Sequence, residues 1–210
     1  MMPNRVGRWL AMLAAALCAL AVACSAGAAD EVIGSIAALR GEVFVEGGGS
    51  RQAAQAKMSV RVSDIVVTQA GKAQIALNDG TVITMAENSR VVMAGYWTGP
   101  DGTRSRLALV SGALRLLVAK TTASGAFEVE TETAVAAVRG TDFLVEVQPQ
   151  RTSIALVNGV VAVTSRVEPA TVILDQPGQG TDVARGAAPT PTSRWGEARF
   201  AALQARVSFP

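Results

Sequence analysis

The chain has 210 residues, half of them hydrophobic, with 19 basic and 17 acidic side chains, two cysteines and no histidine. The missing histidine removes the commonest general base and the commonest metal ligand, and both cysteines, Cys18 and Cys24, lie near the amino terminus. Thiol nucleophiles and cysteine-based zinc sites are therefore absent from the remainder, and no cofactor is expected.

The first element is "MMPNRVGRWLAMLAAALCALAVACSAGAAD". Arg5 and Arg8 precede an apolar run from Trp9 to Ala23, then small residues, the three-part layout of a secretory signal over residues 1–28. The run is too short and alanine-rich for a membrane span, which needs about 20 apolar residues. Two ends fit this signal. Ala26-Gly27-Ala28 suits ordinary cleavage, and "LAVAC" resembles a lipobox that would leave Cys24 lipidated. Loss of Arg5 and Arg8 reduces the 19 basic residues to 17, against 17 acids that all lie at or beyond Asp30. Nucleic acid, which calls for a gathered basic patch, is accordingly not an expected partner, and the membrane is reached only through a lipid anchor. About 180 residues remain, enough for one domain with a normal core.

From Ile33 onward the pattern is β-like. "GEVFVEGGG" alternates Val43 and Val45 against Glu42, Phe44 and Glu46 and stops at glycines, read as a flexible loop because no Gly-Lys-Ser/Thr follows. "KAQIALNDGTVITM" predicts paired strands at Gln74 to Leu77 and Thr81 to Met85, joined by Asn78-Asp79-Gly80. "RVVMAGYWTGPDGTRSRLALVSGALRLLVA" predicts a strand, a turn, and two strands hinged at Ser111-Gly112. "GAFEVETETAVAAVRGTDFLVEVQPQRTSIALVNGVVAVTS" predicts about four more, broken at Arg139-Gly140, at Pro149-Gln150-Arg151 and at Asn158-Gly159. Glycine followed by alternating apolar positions recurs at Gly41, Gly80, Gly112, Gly140 and Gly159 without fixed spacing.

After Ser165 comes a strand-like piece, Ala170 to Leu174, within a stretch over residues 166–192 rich in proline, glycine and threonine that reads as a linker. Residues 193–210 predict a short helix, capped by Ser193, packing on the domain through Trp195, Phe200 and Leu203. The fold class is all-β: a single domain of many short, mainly antiparallel strands, either a sandwich or jelly roll or a short β-roll.

Candidate chemistry is sparse. Glu128, Glu130 and Glu132 alternate and would share one strand face, a solvated side more than a cation ridge. Asp64 and Asp79 sit at turns. Ser111 and Lys120 lack the spacing of a Ser/Lys pair. No catalytic or metal-binding residue is assigned, and the chain is expected not to be an enzyme. Gly140 calls for positive φ or a bulge, with Arg139 in a structural pairing.

The order of these pieces resembles the FecR domain, over about residues 33–165. The residues that carry the resemblance are Asp64 to Thr68, Asp79-Gly80-Thr81, Ser111-Gly112 and Val138-Arg139-Gly140-Thr141-Asp142-Phe143. The resemblance implies a periplasmic domain used in transmembrane signalling, where the namesake relays the state of an outer-membrane iron-transport receptor to a cytoplasmic sigma factor. A cleavable signal without an internal membrane helix or an anti-sigma segment makes the chain more similar to stand-alone secreted members. The expected role is binding of an envelope protein in signalling or assembly, in the periplasm or outside the cell. The alternative is a peptidoglycan or polysaccharide module, with Tyr96 and Trp97 as glycan contacts.

Overall fold

The computed structural model describes residues 31–99, 102–120 and 126–209, with side chains left aside at 97–99 and 102–103. The signal segment and Cys24 lie outside the described residues. No helix among the described residues is long and apolar enough to cross a membrane.

The chain builds two sheets by visiting them in turn. Strand β1 (Val32–Arg40) opens sheet I; the hairpin β2 (Val43–Gly47) and β3 (Ser50–Ala53) opens sheet II. β4 (Ser59–Arg61) returns to sheet I, and β5 (Ile65–Thr68) crosses to sheet II. The hairpin β6 (Lys72–Leu77) and β7 (Val82–Met85) joins sheet I, and β8 (Arg90–Gly99) joins sheet II. β9 (Gly102–Leu117) begins in sheet II and ends in sheet I. Three hairpins then alternate: β10 (Ala126–Glu130) and β11 (Ala134–Val138) in sheet II, β12 (Asp142–Gln148) and β13 (Arg151–Asn158) in sheet I, β14 (Val161–Ser165) and β15 (Thr171–Leu174) in sheet II. β16 (Gln179–Ala184) and β17 (Ser193–Arg194) complete sheet I, and helix α1 (Glu197–Arg206) follows.

The pairings give the order β4–β1–β6–β7–β9–β12–β13–β16–β17 for sheet I and β3–β2–β5–β8–β9–β10–β11–β14–β15 for sheet II. All are antiparallel except β9–β10. Of the two topologies open from sequence, the path follows the roll: it alternates between the sheets, in single strands and hairpins up to β9 and in hairpins from β10 to β15.

Alternation puts one row of each strand inside, as a half-buried sheet requires. Ile36, Ile75, Ile83, Leu116, Phe143 and Ile154 from sheet I meet Val43, Val66, Val91, Leu107, Val129 and Val163 from sheet II in one core cluster. Each such buried side chain contributes about 1.5–3 kcal/mol of burial free energy, so no disulfide is needed to hold the layers. The five recurrent glycines all have positive φ, from 59° at Gly140 to 103° at Gly159, which explains why the motif recurs without fixed spacing: four of them stand at the corner before a strand, and Gly112 bends β9 within its length.

Four sequence expectations change. The glycine stretch after Glu46 is a tight hairpin turn, with φ of 57° at Gly48 and 78° at Gly49, the positive pair that matches strand twist. "FEVETET" is a strand only to Glu130. There Thr131 Oγ1 donates to the Ala134 carbonyl at 3.1 Å and accepts from its N–H at 3.0 Å, turning the chain so that Glu132 leaves the ridge. Residues 166–192 contain β16 as well as β15, and Val32–Pro210 forms one compact unit. Val183 is the one large apolar residue of β16, too little to stand out among glycines. Finally, Ser193 pairs with Gly180 in sheet I, and the helix cap is Gly196 with no side-chain bond.

Helix α1 covers sheet I from outside. Trp195, Leu203 and Val207 pack with Ala86, Ala113, Leu144 and Ala155 in a second apolar cluster, joined by half-buried Phe200. The spacing Phe200, Leu203, Val207 sets them on one helical face. Glu197 in the first turn and Arg206 in the last suit the helix dipole, and Arg206 also pairs with Glu146 of β12.

Candidate functional site

The Arg139-Gly140-Thr141-Asp142 stretch carries the chain from β11 in sheet II to β12 in sheet I. Gly140 has φ 59°, and a Cβ there would come within 3.2 Å of Lys120 Cα, so neither backbone nor space admits a side chain. Thr141 is buried; its Oγ1 donates to the Val160 carbonyl at 2.9 Å, and its own carbonyl accepts from Val118 N–H at 2.9 Å. Asp142 holds Arg115 of β9 in a fork at 3.0 and 2.7 Å. This hydrogen bond raises the Arg115 pKa against the opposing effect of burial. Arg139 is exposed and partnered. Gly140→Val is expected to lower stability by more than ~1 kcal/mol; an unchanged melting curve would contradict this.

The other candidate residues also bind backbone. Asp64 is buried, and its Oδ2 accepts from Arg61 N–H at 2.8 Å. Thr68 Oγ1 donates to the Ala86 carbonyl at 2.6 Å and accepts from Ser89 N–H at 2.9 Å, tying β5 to the turn before β8. Asp79 Oδ1 accepts from Thr81 N–H at 2.8 Å, and Gly80, at φ 86°, donates its N–H to the Leu77 carbonyl at 3.0 Å. Gly112, at φ 89°, bends β9 between the sheets; directly beside it Ser89 Oγ donates to the Ala113 carbonyl at 3.2 Å and accepts from Ala113 N–H at 3.1 Å. The structure thus spreads these residues along the corners of the roll and does not gather them into one cleft. Sequence reasoning missed Ser89 and Arg115, because their partners stand 24 and 27 residues away with no local signal.

On the outer face of sheet II, Glu128 and Glu130 flank Arg106, at 3.1 and 3.2 Å, and Arg166 also reaches Glu130 at 3.5 Å. Glu46 is held below the usual carboxylate range by its hydrogen bond from Arg90, against burial, with the charges of Arg90 and Arg51 adding to the effect. Among the described residues no group of acidic or cysteine side chains could hold a metal. Tyr96 is half-buried and packed against the core, and it lines an open cleft; the Trp97 side chain lies outside the described residues.

A second unforeseen cluster pins the tail. Asp182 of β16 accepts from Arg199 of α1 at 2.6 Å and from Ser153 Oγ at 2.6 Å, and the Arg199 guanidinium lies 3.5 Å from the Trp195 ring centroid. Burial raises the Asp182 pKa, but the bonds from Arg199 and Ser153, with the charges of Arg199 and Arg151, outweigh it and leave the carboxyl below its usual value. A depressed folded pKa means stability present above the unfolded value, about 3.9, and lost as pH falls through the folded value. Asp182→Asn is therefore expected to flatten the acid limb of the stability–pH curve below about pH 4, read by urea unfolding; an acid limb as steep as wild type would contradict the pin.

The motif residues of this two-sheet β-module fasten its own corners. Residues 63–162, from the corner before β5 into β14, match the family model described as FecR protein. Over that span the chain is similar to a FecR domain. No curated protein sequence matches it. Two crystal structures of a candidate anti-sigma factor from Parabacteroides distasonis share the fold, with TM-scores of 0.54 and 0.53 and 19% identity, over 65% of this chain. The match spans 61% of the length of those structures.

Proposed function

We propose that this protein is a non-enzymatic component of the bacterial envelope that binds another protein, in signalling or in assembly, from the periplasm or from outside the cell. The observation that supports the reading is the use of the motif residues: Asp64, Thr68, Asp79, Gly80, Gly112, Gly140 and Thr141 serve backbone corners and strand joints. Function then resides on the faces those corners hold in place. Cleavage after Ala28, or lipidation at Cys24, delivers the domain to that compartment, and mass spectrometry of the mature amino terminus distinguishes the two.

The test is cross-linking of the tagged protein in intact cells followed by purification from envelopes. A reproducible protein adduct absent from an unfolded-variant control is the expected result. Recovery of peptidoglycan in sedimentation, with no protein adduct, would overturn the reading in favour of a wall-binding module.

A further inference from the structure

A cleft of about 550 Å³ opens where β8, β9 and β10 meet, lined by Gly95, Tyr96, Arg104, Ser105, Arg106 and Glu128 among others. Its two arginines differ in one respect. Arg104 and Arg106, two apart on β9, project on the same side of the strand. The parallel register sets Glu128 beside Arg106 but Ala126 beside Arg104. Arg106 is thereby neutralised by Glu128 and Glu130, and Arg104, although exposed, has no ion pair among the described residues.

The residue between them, Ser105, turns to the opposite, inner side of the strand. Ser105 is 6% exposed, and its Oγ has no hydrogen-bond partner. That hydroxyl faces away from the two arginines, so what the cleft offers a ligand is the unneutralised guanidinium of Arg104. The floor is made of Gly95 and two alanines, Ala94 and Ala126, which leaves room for a main chain. Glu128 offers an acceptor for a ligand N–H. A sugar would need an open aromatic face, and Tyr96 is packed against the core.

We infer that this cleft binds a carboxylate-bearing segment of a partner protein, an extended acidic peptide whose Asp or Glu pairs with Arg104. The inference rests on the protein-binding reading above and names the chemistry of the partner. Charge-assisted pairing of this kind is sensitive to salt and to loss of either partner.

The test uses fluorescence anisotropy with two labelled octapeptides of alternating Asp-Ala and Asn-Ala, against the full mature protein. Binding of the Asp peptide that falls with added salt, weakens about tenfold in Arg104→Ala, and is absent for the Asn peptide is the expected result. Circular dichroism on Arg104→Ala checks that the fold persists, and Arg104→Lys should recover part of the affinity. Equal binding of both peptides, or of wild type and Arg104→Ala, would overturn the site, as would preference for oligogalacturonate over the Asp peptide. If the Asp peptide fails while cross-linking captures the same protein with wild type and Arg104→Ala, only the cleft assignment falls. If no protein is captured at all, the broader reading falls with it.

Discussion

Gly112→Val is expected to abolish or severely depress the cooperative unfolding transition, with a cost above about 3 kcal/mol. Two independent effects produce it. Gly112 sits at φ 89°, a region in which a β-branched residue is strained by about 1–3 kcal/mol. A Cβ would also come within 2.5 Å of Ser89 Cα and 2.7 Å of Ser89 Cβ, so main chain must move. For a domain of this size about 3 kcal/mol corresponds to roughly 6–12 °C in melting temperature. Gly112→Ala should show a smaller loss of the same sign. Ser89→Gly should fail to rescue either variant, because the clash with the main chain at position 89 persists. Thermal melts followed by circular dichroism decide it; a shift under about 2 °C for Gly112→Val would show that β9 bends without needing this glycine.

Trp195→Ala carries the second large effect. The indole is 8% exposed and fills a slot left by Gly180, where a Cβ would meet Trp195 Nε1 at 2.5 Å. Truncating a buried aromatic costs about 3–5 kcal/mol, and the cation–π interaction with Arg199 is lost with it. The expected phenotype is release of the tail from sheet I, seen as rapid tryptic cleavage at Arg199 and Arg206 and a lower urea midpoint. Gly180→Val should reproduce it from the opposite side of the interface. Cleavage at the wild-type rate would mean that Leu203 and Val207 hold the helix without the indole.

What was legible in the sequence divides by the range of the interaction. Val43 and Val45, or Ile75 and Leu77, declare their inward face by alternation alone, and Asn78-Asp79-Gly80 declares its turn by chemistry within three residues. Gly140 was legible as a backbone corner for the same reason. By contrast, the exchange of β9 between sheets depends on Ser89 lying against Gly112, and the fork on Asp142 needs Arg115; neither pairing leaves a mark in the nearby sequence. β16 was hidden by its composition, since glycine and threonine there serve close packing against Trp195 and a bond from Thr181 Oγ1 to the Thr190 carbonyl at 2.7 Å. The cleft beside Arg104 was invisible because it depends on which β10 residue the parallel register sets opposite each arginine.

Strand β9 has a consequence for how the protein is made. It pairs with β7 and β12 in one sheet and with β8 and β10 in the other. Until Leu117 has emerged, β7 and β8 present bare ladder edges, and the earlier strands can form hairpins but not a closed pair of layers. Pairing that must wait for distant segments slows folding and prolongs the exposure of such edges. A single sixteen-residue strand thus joins the earlier half of both layers to the later half, and a chain that ended before it would lack that joint in both sheets.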